Sequence, residues 1–369
     1  MKIEISQEAL LNSLKIVARA VSNQNPLPVL GNILIKAEHK KIYFSATNLD
    51  ISISTSTEAI VKNEGSITVP SKIFTSYVSL IDKNENIELN VIDGTTLEVT
   101  TKSSKTKIKG ILSDEFPIIK PVASGTKIEL SIKNFRTSVS QVSFSANENA
   151  SRAILTGVFF GIDKNQVRIA ATDSYRLSEN ILKLENSVDK IDSIIPVRAI
   201  LEADRLAANH SGKISITISE NQVMFVIGGT ELVSRLIEGN YPDYTAIIPK
   251  SNSTEIEVNR EKLESAVRRV SIFAKQDNQH MKLSFSNDGN CVISTNQTEI
   301  GEEKITIPVK IKGKTNNNIA LNADYFLDIL TALTEEEIIK IFMENEEGPA
   351  IIKKIKDQSY THLIMSLKI

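Results

Sequence analysis

Lys2-Ile-Glu-Ile-Ser6 returns as Lys127-Ile-Glu-Leu-Ser131 and again as Glu255-Ile-Glu-Val-Asn259, and this recurrence decides the fold. Each copy alternates apolar and polar residues, as a half-buried strand does. Each then runs into apolar residues three and four apart, the period of an amphipathic helix. Ala9, Leu10, Leu14 and Val17 carry that stripe in the first copy, Phe135, Val139 and Val142 in the second, and Leu263, Val267 and Val270 in the third. The copies start about 125 residues apart, and the 369-residue chain ends about one period after the third start, which makes it a threefold repeat.

The correspondence continues downstream. Gly31-Asn-Ile-Leu-Ile35 matches Gly157-Val-Phe-Phe-Gly161, and Phe44-Ser-Ala-Thr-Asn-Leu-Asp50 matches Ile169-Ala-Ala-Thr-Asp-Ser-Tyr175. Val69-Pro-Ser-Lys72 matches Ile195-Pro-Val-Arg198, each opening a second helix with proline at or near its first position. Glu115-Phe-Pro117 matches Asn240-Tyr-Pro-Asp243; in the diverged third copy, Ala320-Leu-Asn-Ala-Asp324 has lost the proline. Helices are predicted over 7–19, 71–81, 133–142, 197–209, 260–270 and 322–333. Strands are predicted at Lys41–Asn48, Ile87–Val91, Thr96–Thr101, Lys213–Ser219, Gln222–Ile227 and Ile338–Met343, with tight turns at Asp93-Gly94, Gly228-Gly229 and Asp288-Gly289. Two helices and about eight strands per repeat make an α+β fold with helices on one face of antiparallel sheets. Boundaries at Ser124 and in the polar stretch 250–254 give three domains, 1–124, 125–250 and 251–369.

Composition narrows the function. With 41% hydrophobic and 24% charged residues the chain is an ordinary globular protein, and disorder, collagen and coiled coil are excluded. Cys291 is the one cysteine, so an internal disulfide and a cysteine zinc site are out and a reducing, cytoplasmic compartment is expected. No run approaches the ~20 apolar residues of a membrane span. The formal charge of −2 argues against a protein held to nucleic acid by bulk electrostatics.

Catalytic chemistry is not evident. Gly313-Lys314-Thr315 echoes a phosphate loop, but Pro308 stands where its first glycine belongs and Asn316 follows where a helix should begin. His39, His210, His280 and His362 lack metal-ligand spacing and read as surface or partly buried residues. Asp173 has no second catalytic group beside it and reads as a turn cap or a partner for Arg176. No catalytic residue, metal site or cofactor is expected.

At Ala171-Thr-Asp-Ser-Tyr-Arg-Leu177 the chain resembles the bacterial DNA sliding clamps, the beta subunits of replicative DNA polymerase III. Leu27-Pro-Val-Leu-Gly-Asn32, Arg152-Ala-Ile-Leu-Thr-Gly157, Asn240-Tyr-Pro-Asp-Tyr244 and Met365-Ser-Leu-Lys-Ile369 carry the same resemblance, which covers the whole chain. It implies a head-to-tail homodimer closing a six-domain ring around double-stranded DNA without sequence preference, helices lining the hole and sheets outside. Such a ring is a non-enzymatic processivity factor that slides and tethers its polymerase topologically. The alternative is a clamp-fold interaction scaffold that does not encircle DNA.

The resemblance also assigns residues. Lys15, Arg19, Lys72, Lys133, Arg136, Arg198, Arg268 and Arg269 lie on the six predicted helices, which carry eleven basic residues (among them Arg205, Arg260 and Lys262) against seven acidic, a surplus of four. Gln24 and Asn149 join them as DNA-contact positions, although the Gln24-Asn25 loop lacks the arginine often found there. For the dimer, Lys105, Lys107 and Lys109 in the first repeat face Glu299, Glu302 and Glu303 in the third, around an apolar centre at Ile272 and Phe273, just after the third repeat's helix. A hydrophobic cleft between the second and third domains takes short peptides from the polymerase catalytic subunit, the clamp loader and other clamp-binding proteins. Its wall falls on Arg152, Leu155, Thr172, Ser174, Tyr175, Arg176, Leu177, Pro242 and Ile247, completed by Pro349, Ile364, Met365, Ser366, Leu367 and Lys368. Ser174-Tyr175 stands where Gly-His is frequent, and Ser366-Leu367 where Pro-Met is frequent, which bears on peptide preference.

Overall fold

The structure, a computed structural model, describes residues 1–22, 27–120, 122–147, 151–249 and 251–368; Gln24, Asn25 and Asn149 lie outside them. The described residues form six α-helices: α1 (Gln7–Val17), α2 (Ser71–Ser79), α3 (Ile132–Val142), α4 (Val197–Ala207), α5 (Arg260–Ala274) and α6 (Ala323–Ala332). Contacts divide the chain into two units, residues 1–133 with 201–236, and residues 134–200 with 237–369.

The first unit holds two antiparallel sheets. One has five strands in the order Ile60–Asn63, Lys2–Ser6, Asn86–Ile92, Thr96–Thr100, Lys105–Lys109. The other has eight and joins the central repeat's Thr230–Arg235 to the first repeat's Ile51–Glu58, Ser54 pairing with Glu231 and Ser52 with Val233. The second unit repeats the plan. A seven-stranded sheet joins the central repeat's Arg176–Pro196 to the third repeat's Tyr360–Ile364, and a four-stranded sheet runs Lys304–Pro308, Asn290–Ser294, His280–Ser286, Asn317–Asn322.

The helices begin where the repeated strands end. Ser6 caps α1 by accepting from the Ala9 amide at 3.3 Å, and Asn259 caps α5 by accepting from Lys262 at 3.0 Å. Pro70 sits at the cap of α2, one residue before its first helical position, and Pro196 ends a strand just before α4. The third repeat's lost proline is replaced by Asn322, whose side chain accepts from Asp324 and Tyr325 at 3.0 and 3.1 Å. A rigid φ and a side-chain acceptor are two ways to start the same helix.

Three details depart from the sequence reading. α1 stops at Val17 and tightens into a 3-10 turn, Ala18–Ala20, while α5 runs on to Ala274, so Ile272 and Phe273 lie in its last turn and not after it. Asn32 pairs with Pro70 as Gly157 pairs with Pro196, so Gly157 matches Asn32 and not Gly31. That single step matters because a one-residue slip turns every side chain to the other face. Gly228-Gly229 is a two-residue turn with φ of 54° and 84°, whereas Asp93-Gly94 and Asp288-Gly289 fall in three-residue loops between Ile92 and Thr96 and between Ser286 and Asn290.

Candidate functional site

The hairpin at residues 172–176 is built by its own side chains. Thr172 Oγ1 donates to the Arg176 carbonyl at 2.6 Å and accepts from the Ser174 amide at 3.1 Å. Asp173 Oδ1 accepts from the Tyr175 and Arg176 amides at 2.9 and 3.0 Å, an Asx turn that leaves Ser174 at φ 81°. The other Asp173 oxygen takes the Arg176 Nε at 3.0 Å. Asp173 is therefore both the turn cap and the arginine partner that the sequence suggested.

Distant elements converge on this turn. The Tyr241 hydroxyl accepts from the Thr172 amide at 3.0 Å, and the Met365 amide donates to the Tyr175 carbonyl at 2.9 Å. The Arg176 guanidinium lies 4.3 Å from the Tyr325 ring centre and 5.4 Å from that of Phe144, and it also binds Asp328 of α6. Burial pushes the Tyr325 phenol up. Tyr175 is left 63% exposed, Ile247 49% and Met365 39%, so large apolar groups stand in solvent around an anchored turn.

The wall is thinner than the sequence suggested. Ile364 and Leu177 are covered, 0% and 1% exposed: Ile364 packs into the third repeat's core, and Leu177, on the opposite face of the sheet, packs with Tyr244 and Leu363. Leu155 and Thr172 are also mostly covered. Arg152, Ser174, Pro242 and Lys368 are exposed, and Arg176, Pro349, Ser366 and Leu367 are half-buried. Ser366, Leu367 and Lys368, with Glu346 and Glu347, line a cavity of about 570 Å³. Phe144, Tyr325, Asp328 and Leu363 belong to this region and are not singled out by the sequence, and Tyr241 is marked only as part of the Asn240–Tyr244 motif.

Behind the turn lies a buried polar chain. Ser145 and Ser178 share a hydrogen bond at 2.8 Å, and Ser178 meets His362 Nδ1 at 2.7 Å. His362 is fully buried, contrary to its reading as a surface or partly buried residue, and burial, aided by Arg176, pushes its pKa down to about 3. Cys291 is buried too, its thiol pushed up to about 12 by burial. Among the described residues no group of His, Cys, Asp and Glu could hold a metal. Gly313 ends the strand Lys310–Gly313, and no helix starts at Lys314-Thr315.

The basic helix residues divide. Lys15, Lys72, Lys133 and Arg198 are exposed and have no ion pair among the described residues. Arg19 reaches Glu202 at 3.5 Å, Arg268 binds Glu264 at 2.6 Å, Arg269 binds Glu303 at 3.2 Å, and Arg136 is half-buried. Arg260, counted among the cations of the helix faces, is buried, held by Glu264 and by the carbonyls of Leu330 and Glu336. Glu264 lies one turn from both Arg260 and Arg268 on α5, whereas Arg19 and Arg269 find their carboxylates on other elements.

Two sheet edges carry the remaining charges. Lys105–Lys109 is the outer strand of the five-stranded sheet, with Lys105, Lys107 and Lys109 exposed; Lys105 binds Glu98 at 2.9 Å. Lys304–Pro308 is an outer strand of the four-stranded sheet, preceded by Glu299, Glu302 and Glu303. Ile272, 61% exposed, and the half-buried Phe273 stand on α5, with the Phe273 ring beside the Gly301 turn.

Helix pairs on antiparallel sheets in a threefold repeat, with charged outer strands and an anchored apolar turn, define the DNA-clamp class of protein. Comparison with known proteins agrees throughout. Models of the DNA polymerase III beta subunit match in succession, the N-terminal domain over residues 1–120, the central domain over 129–243 and the C-terminal domain over 245–368. The beta sliding clamp of Chlamydia muridarum is 29% identical over 354 residues, covering 95% of both chains. That of Staphylococcus epidermidis is 28% identical over 377 aligned positions, covering 100% of this chain and 99% of its own. The crystal structure of the Bacillus subtilis DNA polymerase sliding clamp superposes with a TM-score of 0.96 at 27% identity, covering 100% of this chain and 99% of that one. The chain belongs to the DNA polymerase III beta-subunit family, the bacterial sliding clamps.

Proposed function

We propose that two copies of this chain close head to tail around duplex DNA and slide on it as a processivity factor, without catalytic activity of their own. Three domains per chain, 1–124, 125–250 and 251–369, would make six in the ring. The observation that carries this reading is the pair of outer strands, Lys105–Lys109 and Lys304–Pro308, each paired on one side only, on the two terminal repeats. An exposed strand edge is a template for pairing, and joining these two across copies would satisfy both. Lysines on one edge and glutamates before the other favour that orientation over self-pairing. Lys15, Lys72, Lys133 and Arg198 are exposed cations free to meet phosphates, joined by Arg136 and, after their carboxylate partners, by Arg19, Arg268 and Arg269. Few free cations suit a ring that must slide, because each phosphate contact strengthens binding. The turn at residues 172–176 with Pro242, Ile247 and Met365–Lys368 is the docking site for peptides of the polymerase and the clamp loader. Its work belongs in the cytoplasm, beside the chromosome.

The test is topological. Light scattering should give about twice the 40.7 kDa chain mass. Protein loaded on a nicked circle should stay bound and leave when the circle is linearised. Equal retention on circle and line, or loss of neither when Lys72 and Arg198 are changed to Glu, would instead mark a clamp-fold scaffold that does not encircle DNA.

A further inference from the structure

The anchored turn of the second unit has a twin in the first. Thr47 Oγ1 donates to the Ile51 carbonyl at 3.0 Å and accepts from the Leu49 amide at 3.0 Å, as Thr172 does with Arg176 and Ser174. Asn48 Oδ1 accepts from the Asp50 and Ile51 amides at 3.1 and 2.8 Å, in the role of Asp173, and Leu49 at φ 79° stands for Ser174. The Arg235 amide donates to the Asp50 carbonyl at 3.1 Å, as Met365 donates to Tyr175. Strand pairing is equivalent as well: Ser52 opposite Val233 corresponds to Leu177 opposite Leu363.

Beside this twin lies an open cleft of about 530 Å³, entirely within the first unit. Where the second unit has Leu177 and Tyr244, the first has the smaller Ser52 and Ile119, with Ser45 and Ser54 alongside. Phe116, Pro117 and Ile118, the counterpart of the Tyr241-Pro242 segment, form one apolar wall. Ile118 is 88% exposed at the rim, an apolar side chain that the fold itself does not use. Asp114 and Glu231, both exposed, are the charged residues lining the cleft, and no cation lines it.

We infer that this cleft is a second docking groove, which takes a short extended peptide of a partner protein carrying a Lys or Arg between apolar residues. The apolar wall takes the flanking side chains, and Asp114 with Glu231 meets the cation; the Ser52 hydroxyl, which donates to Thr47 Oγ1 at 2.8 Å, keeps its lone pairs for a peptide amide. The inference rests on the peptide-docking reading of the second unit through their equivalence, and its charge preference comes from the cleft's own lining.

The test selects binders from a phage-displayed library of random 12-residue peptides on the full-length protein. Clones are then measured against three variants: Glu231→Lys, Ser52→Trp and a deletion of Met365–Ile369. The expected result is a class of clones with a basic residue between apolar ones. Their affinity should fall at least tenfold with Glu231→Lys and change less than twofold with the deletion. Ser52→Trp should block them from the floor, and exposed Glu231 keeps the test decisive if that variant does not fold. The inference is overturned if every clone is lost on the deletion, if the clones that survive it bind Glu231→Lys unchanged, or if no clone is enriched. Clones that survive the deletion but are lost with Glu231→Lys support the groove even where no clone marks the second unit's site, so the two readings fail separately.

Discussion

The turns at Thr47–Ile51 and Thr172–Arg176 share a backbone and exchange polarity. In the first unit the strand residues behind the turn are apolar, Ile53 opposite Leu232, both 0% exposed, while the residues in front include Ser45, Ser52 and Ser54. In the second the residues behind are polar, Ser178 opposite His362, while those in front are Ala170, Leu177 and Leu363. A strand alternates faces, so changing residues at one parity leaves the ladder intact and rewrites a single surface. The repeat keeps the hydrogen bonds that fix the chain's path. It is free to vary what the path displays.

The comparison can be broken most severely at the chain's end. Deleting Met365–Ile369 removes the Met365 amide that ties down the second turn and should reduce binding of a labelled clamp-binding peptide roughly 100-fold or more by fluorescence anisotropy, the order expected when hot-spot groups are lost. The dimer mass should not change. A smaller effect comes from exchanging the surfaces. Leu177→Ser should destabilise by about 3 kcal/mol in urea unfolding, since it empties a buried site. Its mirror, Ser52→Leu, grows into an open cleft and should cost less than about 1 kcal/mol.

The buried histidine gives a pH signature. Folded His362 holds its proton only below about pH 3, against an ordinary value of 6.5 in the unfolded chain. Above pH 6.5 neither state is protonated and the residue is neutral to stability; as pH falls toward 3 only the unfolded chain gains the proton, so stability is lost. Replacing His362 with Leu, the residue at Leu232 in the twin, should flatten that acid slope in thermal melts. Thr47→Val and Thr172→Val are the finest comparison. Each should cost about 1–2 kcal/mol by leaving turn groups unpaired, but only Thr172→Val should also weaken peptide binding.

Much of this was readable in the chain. The strand–helix recurrence, the hairpin glycines and the Asp173–Arg176 pairing are local, written within a few residues of one another, and local hydrogen bonds follow from local sequence. Arg260 illustrates the limit. On a helix it reads as a surface cation, and only the fold of the third repeat brings the Leu330 and Glu336 carbonyls over it. Ile364 and Leu177 are placed on the pocket wall by the family resemblance alone, because an apolar residue in a strand reads the same whether it is covered or displayed.

The sequence by itself determined the number of repeats, the type and order of their elements and the chemistry of their turns, since periodicity and capping act over a few residues. Only the tertiary structure decided which face each strand shows, which carboxylate meets Arg19, Arg176 or Arg269, and which side chains line the cleft beside the first of the twin turns. Those outcomes depend on partners more than a hundred residues away for Arg19 and Arg176, and thirty-four away for Arg269. Burial and pairing at such distances are set by packing as a whole, which no local pattern encodes.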